Sequence, residues 1–207
     1  MERLIELYNI ASPSGKEKRI TKYIMTELKK MGVACRKDKT GNIYAVKGNA
    51  DTYPCVVSHI DEVHRNKTGQ YGAYIVADEM VIGYDRRKRC QTGIGADDKN
   101  GIWICFKMLE RFKNMKCAFF VGEETGCVGS SRADMDFFND CRFVIQCDRR
   151  GNSDMVTRIN GTPLCSDDFI RSVEPEKYGY SECSGLLTDV YTPVSYTHLT
   201  LPTTSRV

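Results

Sequence analysis

No apolar run in these 207 residues approaches the roughly 20 that a bilayer-spanning helix requires. The opening stretch MERLIELYNIASPSG mixes acids among its apolar positions, so it reads as an amphipathic helix and not as a basic-then-apolar secretion signal. Ten cysteines occur without a single C-x-x-C pair, a spacing that gives thiolate-held structural zinc little support. Charge of one sign is lacking too. Thirty basic residues face 27 acidic ones, and a net charge of +3 makes no field that would gather nucleic acid or acidic lipid. There is no internal repeat and no low-complexity linker. These absences predict a cytoplasmic protein with neither a membrane nor a nucleic-acid partner.

Hydrophobic content of 41% and charged content of 28% are ordinary for a globular chain, and the length suits one domain with a real core. Cys55, Cys105, Cys117 and Cys147 sit inside apolar runs and read as small buried hydrophobes in a reducing compartment. The one basic run, Arg86-Arg87-Lys88-Arg89, reads as a solvated turn in preference to a nucleic-acid patch.

Leu4, Ile5, Leu7 and Tyr8, then Ile20, Tyr23, Ile24 and Leu28, recur at helical spacing on either side of the Ser12–Gly15 turn, so two helices open the chain. Residues 33–48 and 71–84 read as hairpins, and Cys55–Ser58 as a strand covered on both faces. Ile102, Phe106, Leu109 and Phe112 mark a helix from Asp98 to 112. Cys117–Val121 and Phe143–Ile145 are buried-type strands around a short helical stretch near 130–139. Such alternation predicts an α/β fold in three layers, a mainly parallel twisted sheet with helices on both faces. Residues 195–207 have neither helical period nor strand partner and look foreign to the domain, which leaves 1–194 as a single domain.

Four polar signatures close apolar runs in a fixed order: SHIDEVH around His59 and Asp61, GADDKNG around Asp97, FFVGEETG around Glu123 and Glu124, and IQCDRRG around Asp148. Taken singly, most are open to a plain reading. His59-x-Asp61 puts two side chains on one face of an extended segment, which suits a hydrogen-bonded core histidine as well as a ligand oriented by its carboxylate. Asp97 opens a helix and could be its cap, or a carboxylate shared by two cations. Asp148 is an ordinary strand-end aspartate unless its company says otherwise. Glu123-Glu124 is the most telling, because adjacent carboxylates after an apolar strand repel unless a cation or a shared proton offsets them. In an extended chain one would face a metal and the other a water, as a base. His64 lies beyond the His-x-Asp core and reads as a surface or supporting residue.

In this order the motifs resemble the co-catalytic dinuclear zinc exopeptidases and related amidohydrolases, among them peptidase T, the carboxypeptidase G group, acetylornithine deacetylase and the bacterial leucyl aminopeptidases. GADDKNG and VGEETGCVGS look closest to the peptidase T side, and the likeness covers about residues 1–190. The resemblance implies two zinc ions, with cobalt or manganese as alternatives. It further implies His59 and Asp148 on one ion, Glu124 on the other, and Asp97 bridging both. Asp61 would orient His59, Glu123 would be the general base, and the Asp97-Asp98 peptide would be cis. The expected activity is that of an aminopeptidase or di/tripeptidase acting on short peptides. A deacylase of acylated amino acids is the alternative within enzymes, and an inactive binding module the alternative outside them. Two departures stand out. The stretch after Asp148 is too short for the lid or dimerisation domain that many relatives insert. The last ligand of the family is a C-terminal histidine, and only His198, in the foreign-looking tail, offers one, so the chain is expected to be truncated and its second ion weakly held.

Overall fold

A computed structural model describes residues 2–77, 80–186 and 188–191. Helices α1 (Glu2–Tyr8) and α2 (Lys18–Lys30) open the chain, and Ile20, Ile24 and Leu28 bury one stripe of α2 at four-residue spacing. The expected hairpin follows as β1 (Ala34–Lys37) and β2 (Ile43–Lys47), and β3 (Tyr53–His59) runs into the first polar signature. Strands β4 (Tyr71–Ile75), β5 (Val81–Asp85) and β6 (Cys90–Thr92) make a separate antiparallel sheet, one strand more than the hairpin read from the sequence. Next come α3 (Ala96–Arg111), β7 (Met115–Phe120) and β8 (Cys141–Gln146). The last elements are β9 (Asp154–Ile159), β10 (Thr162–Pro163), α4 (Asp167–Val173) and β11 (Ser181–Gly185), whose strands form a third small sheet in the order β10-β9-β11.

The main sheet has the order β1-β2-β7-β3-β8. Its site-bearing half, β7-β3-β8, is parallel as expected, while β2 joins β7 antiparallel and carries the β1–β2 hairpin at the edge. Strand β7 is buried at every position, the burial that reads in sequence as an unbroken apolar run. One face packs Ile43, Val56, Cys117 and Phe119 against Leu7, Ile24, Leu28, Ile102 and Phe106 of the three helices. The other packs Tyr44, Val57, Ala118 and Phe120 against Phe137, Phe138 and Val190. That second cover is made by 3-10 turns at Ser130–Arg132 and Met135–Phe138, where the sequence had suggested a short helix. Helix α4 stacks Phe169 on Phe143 of edge strand β8, with ring centroids 6.0 Å apart.

All ten cysteines are free thiols, and Cys55, Cys105 and Cys117 are buried as read from their apolar surroundings. Cys147 is exposed instead, because β8 ends at Gln146 and the chain is already leaving the sheet. Among the described residues no helix is long and apolar enough to cross a membrane. Residues 195–207, including His198, lie outside the described residues.

Candidate metal centre

Parallel register explains why distant signatures meet. Across the sheet His59 pairs with Phe120 on one side, and Val57 pairs with Gln146 on the other. The chain therefore leaves β3, β7 and β8 at one rim, the edge where open α/β sheets place their ligands. Asp61, Glu123 and Asp148 lie two or three residues past those strand ends.

His59 is fully buried, and its two nitrogens have different company. Nδ1 lies 3.1 Å from the Asp61 carbonyl oxygen and 3.4 Å from Asp61 Oδ1. Nε2 faces three other segments: Asp97 Oδ1 at 2.9 Å, Asp148 Oδ2 at 3.6 Å and Glu123 Oε2 at 3.9 Å. Asp61 is buried too and does more than hold the ring. Its Oδ1 accepts from the Glu123 amide at 2.9 Å, and its Oδ2 accepts from the Glu124 amide at 3.2 Å and the Ser14 hydroxyl at 2.7 Å. One carboxylate thus positions the histidine and the glutamate pair together. Replacing Asp61 by Ala strands one buried and one part-buried amide and unlocks His59. We expect a loss of about 2–4 kcal/mol, from unsatisfied groups at about 1–3 kcal/mol each, read as a lowered denaturant midpoint at unchanged slope.

Asp97 is not a helix cap. Gly95 holds that place in the left-handed region at φ 65°, and Asp97 itself is extended at φ −84°, ψ 108°. The Asp97-Asp98 peptide is cis. The two carboxylates part company there. The Asp97 side chain stays 70% exposed at the rim against His59, whereas Asp98 turns inward. Asp98 Oδ1 accepts from the Gly101 amide at 2.9 Å, and its Oδ2 is buried with no partner. Glu123 and Glu124 occupy a 3-10 turn that follows left-handed Gly122, and not the extended segment expected of them.

Two groups of side chains could each hold a cation, with ligand atoms within 4.8 Å of one another: His59, Asp98 and Asp148, and His59, Glu123 and Glu124. The structure thus brings His59, Asp61, Asp97, Glu123, Glu124 and Asp148 to one rim, and adds Asp98, which was not among the ligands expected, beside His59 and Asp148. Asp189 was also missed. It is buried, accepts from Ser130 Oγ at 2.5 Å, and leaves its Oδ2 unpartnered. It sits in no polar cluster, so nothing in the local sequence marks it. His64 is half-buried over Gly93 and belongs to neither group.

So many carboxyls around one imidazole push one another's protons on. Burial raises Glu123 to about 7, His59 pulling against it and Asp189 and Glu124 adding to it. Burial and the charge of Asp97 likewise take Asp148 to about 7 against the pull of His59, and burial takes Asp189 to about 6. For His59, burial opposes the charged ring, but hydrogen bonds to Asp61 and Asp97 and the charges of Asp98 and Asp148 prevail and push it up to about 12. In this state the cluster keeps a proton on the imidazole for want of other positive charge. Imidazole and carboxylate donors suit zinc and similar divalent cations, and the unpartnered Asp98 oxygen is a donor in need of an acceptor. The residues fit a metal.

Behind the rim lies an ion pair of a different kind. Lys99 Nζ donates to Glu62 Oε2 at 2.7 Å and to the Ile94 carbonyl at 2.9 Å, both side chains being fully buried. Glu62 Oε1 accepts from the Ser12 amide at 3.1 Å. A Cβ at Gly95 would run into this pair, and that requires glycine there. The pair ties the residue after Asp61 to the residue after Asp98.

No family model matches the chain. A curated relative from Pyrococcus abyssi, provisionally named LysW-lysine/LysW-ornithine hydrolase, is 38% identical over 134 residues, covering 64% of this chain and 35% of the relative. Among solved structures, a tripeptidase of Staphylococcus aureus superposes with a TM-score of 0.62 at 20% identity, over 74% of this chain and 44% of that one. The TET1 peptidase of Pyrococcus horikoshii gives 0.58 at 16% identity, over 89% of this chain and 83% of that one. The chain spans about a third of the curated relative and under half of the tripeptidase. Its fold is the one these peptidases share, and the resemblance read from its motifs is to the same group of hydrolases.

Proposed function

We propose that the chain is the catalytic domain of a metal-dependent exopeptidase, an aminopeptidase or di/tripeptidase that hydrolyses short peptides. The observation that carries this is the convergence of His59 Nε2 with carboxylates of Asp97, Glu123 and Asp148, from three other segments, within 3.9 Å. His59, Asp148, Asp97 and Glu124 would hold two zinc ions, with Asp98 as a further donor. Bound zinc supplies Lewis acidity, lowering the pKa of water from about 15.7 towards 7 and polarising a carbonyl.

The rest is work for the chain's own groups. Glu123 is one of a close carboxylate pair and lies 9% exposed at the rim, placed to take a proton from the attacking water and return it to the leaving amine. Asp61 fixes the face of His59 that meets the other ligands, and its bonds to two amides hold the turn that carries Glu123. A rim this rich in carboxylates suits a substrate that brings a free amine. Its alternative, removal of an acyl group from an amino acid, draws support from the name of the 38%-identical relative. Among the described residues the segment between Asp148 and Asp189 is taken up by β9, β10, α4 and β11, which supports a domain with no lid inserted there. Buried free thiols support a reducing, cytoplasmic setting.

The test is metal analysis of the purified protein alongside assays on amino-acid amides, tripeptides and acylated amino acids. Chelation should remove at least nine-tenths of the activity and added zinc should restore it. Hydrolysis indifferent to chelator, or a protein that takes up no divalent ion, sinks the reading.

A further inference from the structure

Two turns beside the β4-β5-β6 sheet bring four cations around one concavity of about 370 Å³: Arg65 and Lys67 from the stretch before β4, Arg87 and Lys88 from the turn after β5. The backbone under them is fixed. The Arg86 amide donates to the Gln70 carbonyl at 3.0 Å, joining the two turns. Asn66 donates to the Gly93 carbonyl at 2.8 Å and accepts from the Thr92 hydroxyl at 2.9 Å, anchoring the first turn to β6. The one acid in the lining, Asp85, is spent on the protein itself. Its Oδ1 accepts from the Arg87 and Lys88 amides, both at 2.9 Å. Among the described residues none of the four cations belongs to an ion pair.

Four like charges on rigid turns with Asp85 as the one acid among them leave an excess of positive charge that favours a polyanion that enters. The guanidinium groups offer paired N–H donors that match a carboxylate edge on, and the ammonium groups add point charges beside them. A space of about 370 Å³ is generous for one small anion, given that a water occupies about 30 Å³ of liquid. It lies near the proposed centre. Arg65 is four residues from Asp61, and Gly93 is four residues from Asp97, so neither span exceeds about 14 Å along the chain.

We propose that this concavity binds the carboxylate side chains of an acidic peptide, and so selects acidic peptides for the adjoining centre. The proposal deepens the exopeptidase reading and rests on it for the word substrate, but the binding itself can be measured without turnover. Fluorescence anisotropy with labelled tetraglutamate and tetraglutamine on the intact protein is the experiment. Tetraglutamate is expected to bind at least ten-fold more tightly, with the advantage shrinking as salt is raised. Arg65→Glu with Lys88→Glu should remove that advantage while the thermal midpoint stays put, and the milder Arg65→Gln with Lys88→Gln should fall between. Equal affinity for the two peptides, or an undiminished preference in the charge-reversed protein, overturns the proposal. So does displacement of tetraglutamate by an equimolar amount of inorganic phosphate, which would make this a site for small oxyanions. A protein that binds tetraglutamate and hydrolyses nothing would cost the exopeptidase reading and leave the site standing. Hydrolysis with no preference for acidic peptides would do the reverse.

Discussion

Glu123→Gln is expected to lower turnover of a tripeptide or amino-acid amide by about 10²–10⁴-fold, the usual worth of a general base, while divalent metal content stays at the wild-type level. Glutamine keeps the size and the backbone bonds of the residue, including the amide donated to Asp61. It removes only the ability to accept a proton. The two halves of the outcome separate the roles that the rim mixes together. Glu123 shares a possible cation group with His59 and Glu124, so a protein that lost its metal along with its activity would make Glu123 a ligand and not the base. A variant that kept a tenth or more of the rate would move the base elsewhere. Glu124→Gln serves as the contrast, since loss of a ligand should lower metal affinity first and rate only as a consequence.

Lys99→Met should destabilise the fold by about 3–5 kcal/mol, because it leaves the Glu62 carboxylate buried without its counter-ion. Burial already pulls the Lys99 pKa down, and the proximity of Glu62 opposes that pull, so the pair survives as a pair. Removing both charges with Lys99→Met and Glu62→Leu should return much of the loss, since a well-packed apolar replacement is often neutral. A double-mutant cycle in chemical denaturation reads this directly. If the single variant melts like wild type, the pair carries no net energy and the brace behind the rim is only a contact. The position matters because Lys99 follows Asp98 and Glu62 follows Asp61, so loosening the pair frees two site-bearing segments together.

Much of this architecture was legible in the sequence because burial writes itself into composition. Strands β3 and β7 are covered on both faces and read as continuous apolar runs, while α2 is covered on one and shows its four-residue stripe. The direction of the outer strands did not read out. An apolar run looks the same whether its neighbour runs parallel or antiparallel, so the antiparallel β2–β7 pairing, the third strand β6 beside the expected hairpin and the β10-β9-β11 sheet appeared only in three dimensions. The cover of the second face by 3-10 turns was hidden likewise, since a few residues around Phe137 and Phe138 do not establish a period.

The order of the polar signatures, their places at the ends of apolar runs, and hence His59, Asp61, Asp97, Glu123, Glu124 and Asp148 as one set, came from the sequence alone. Chain order and apolar spacing are local properties, and the parallel strands β3, β7 and β8 must bring their ends to one rim, which Asp97 joins from the start of α3. Which oxygens point where was left to the tertiary structure. It turned Asp98 inward beside His59 and Asp97 outward to the rim, buried Asp189 against Ser130, and closed the Lys99–Glu62 pair across 37 residues. Those outcomes depend on backbone torsions at single residues and on side chains that meet from segments far apart, and no stretch of sequence records either.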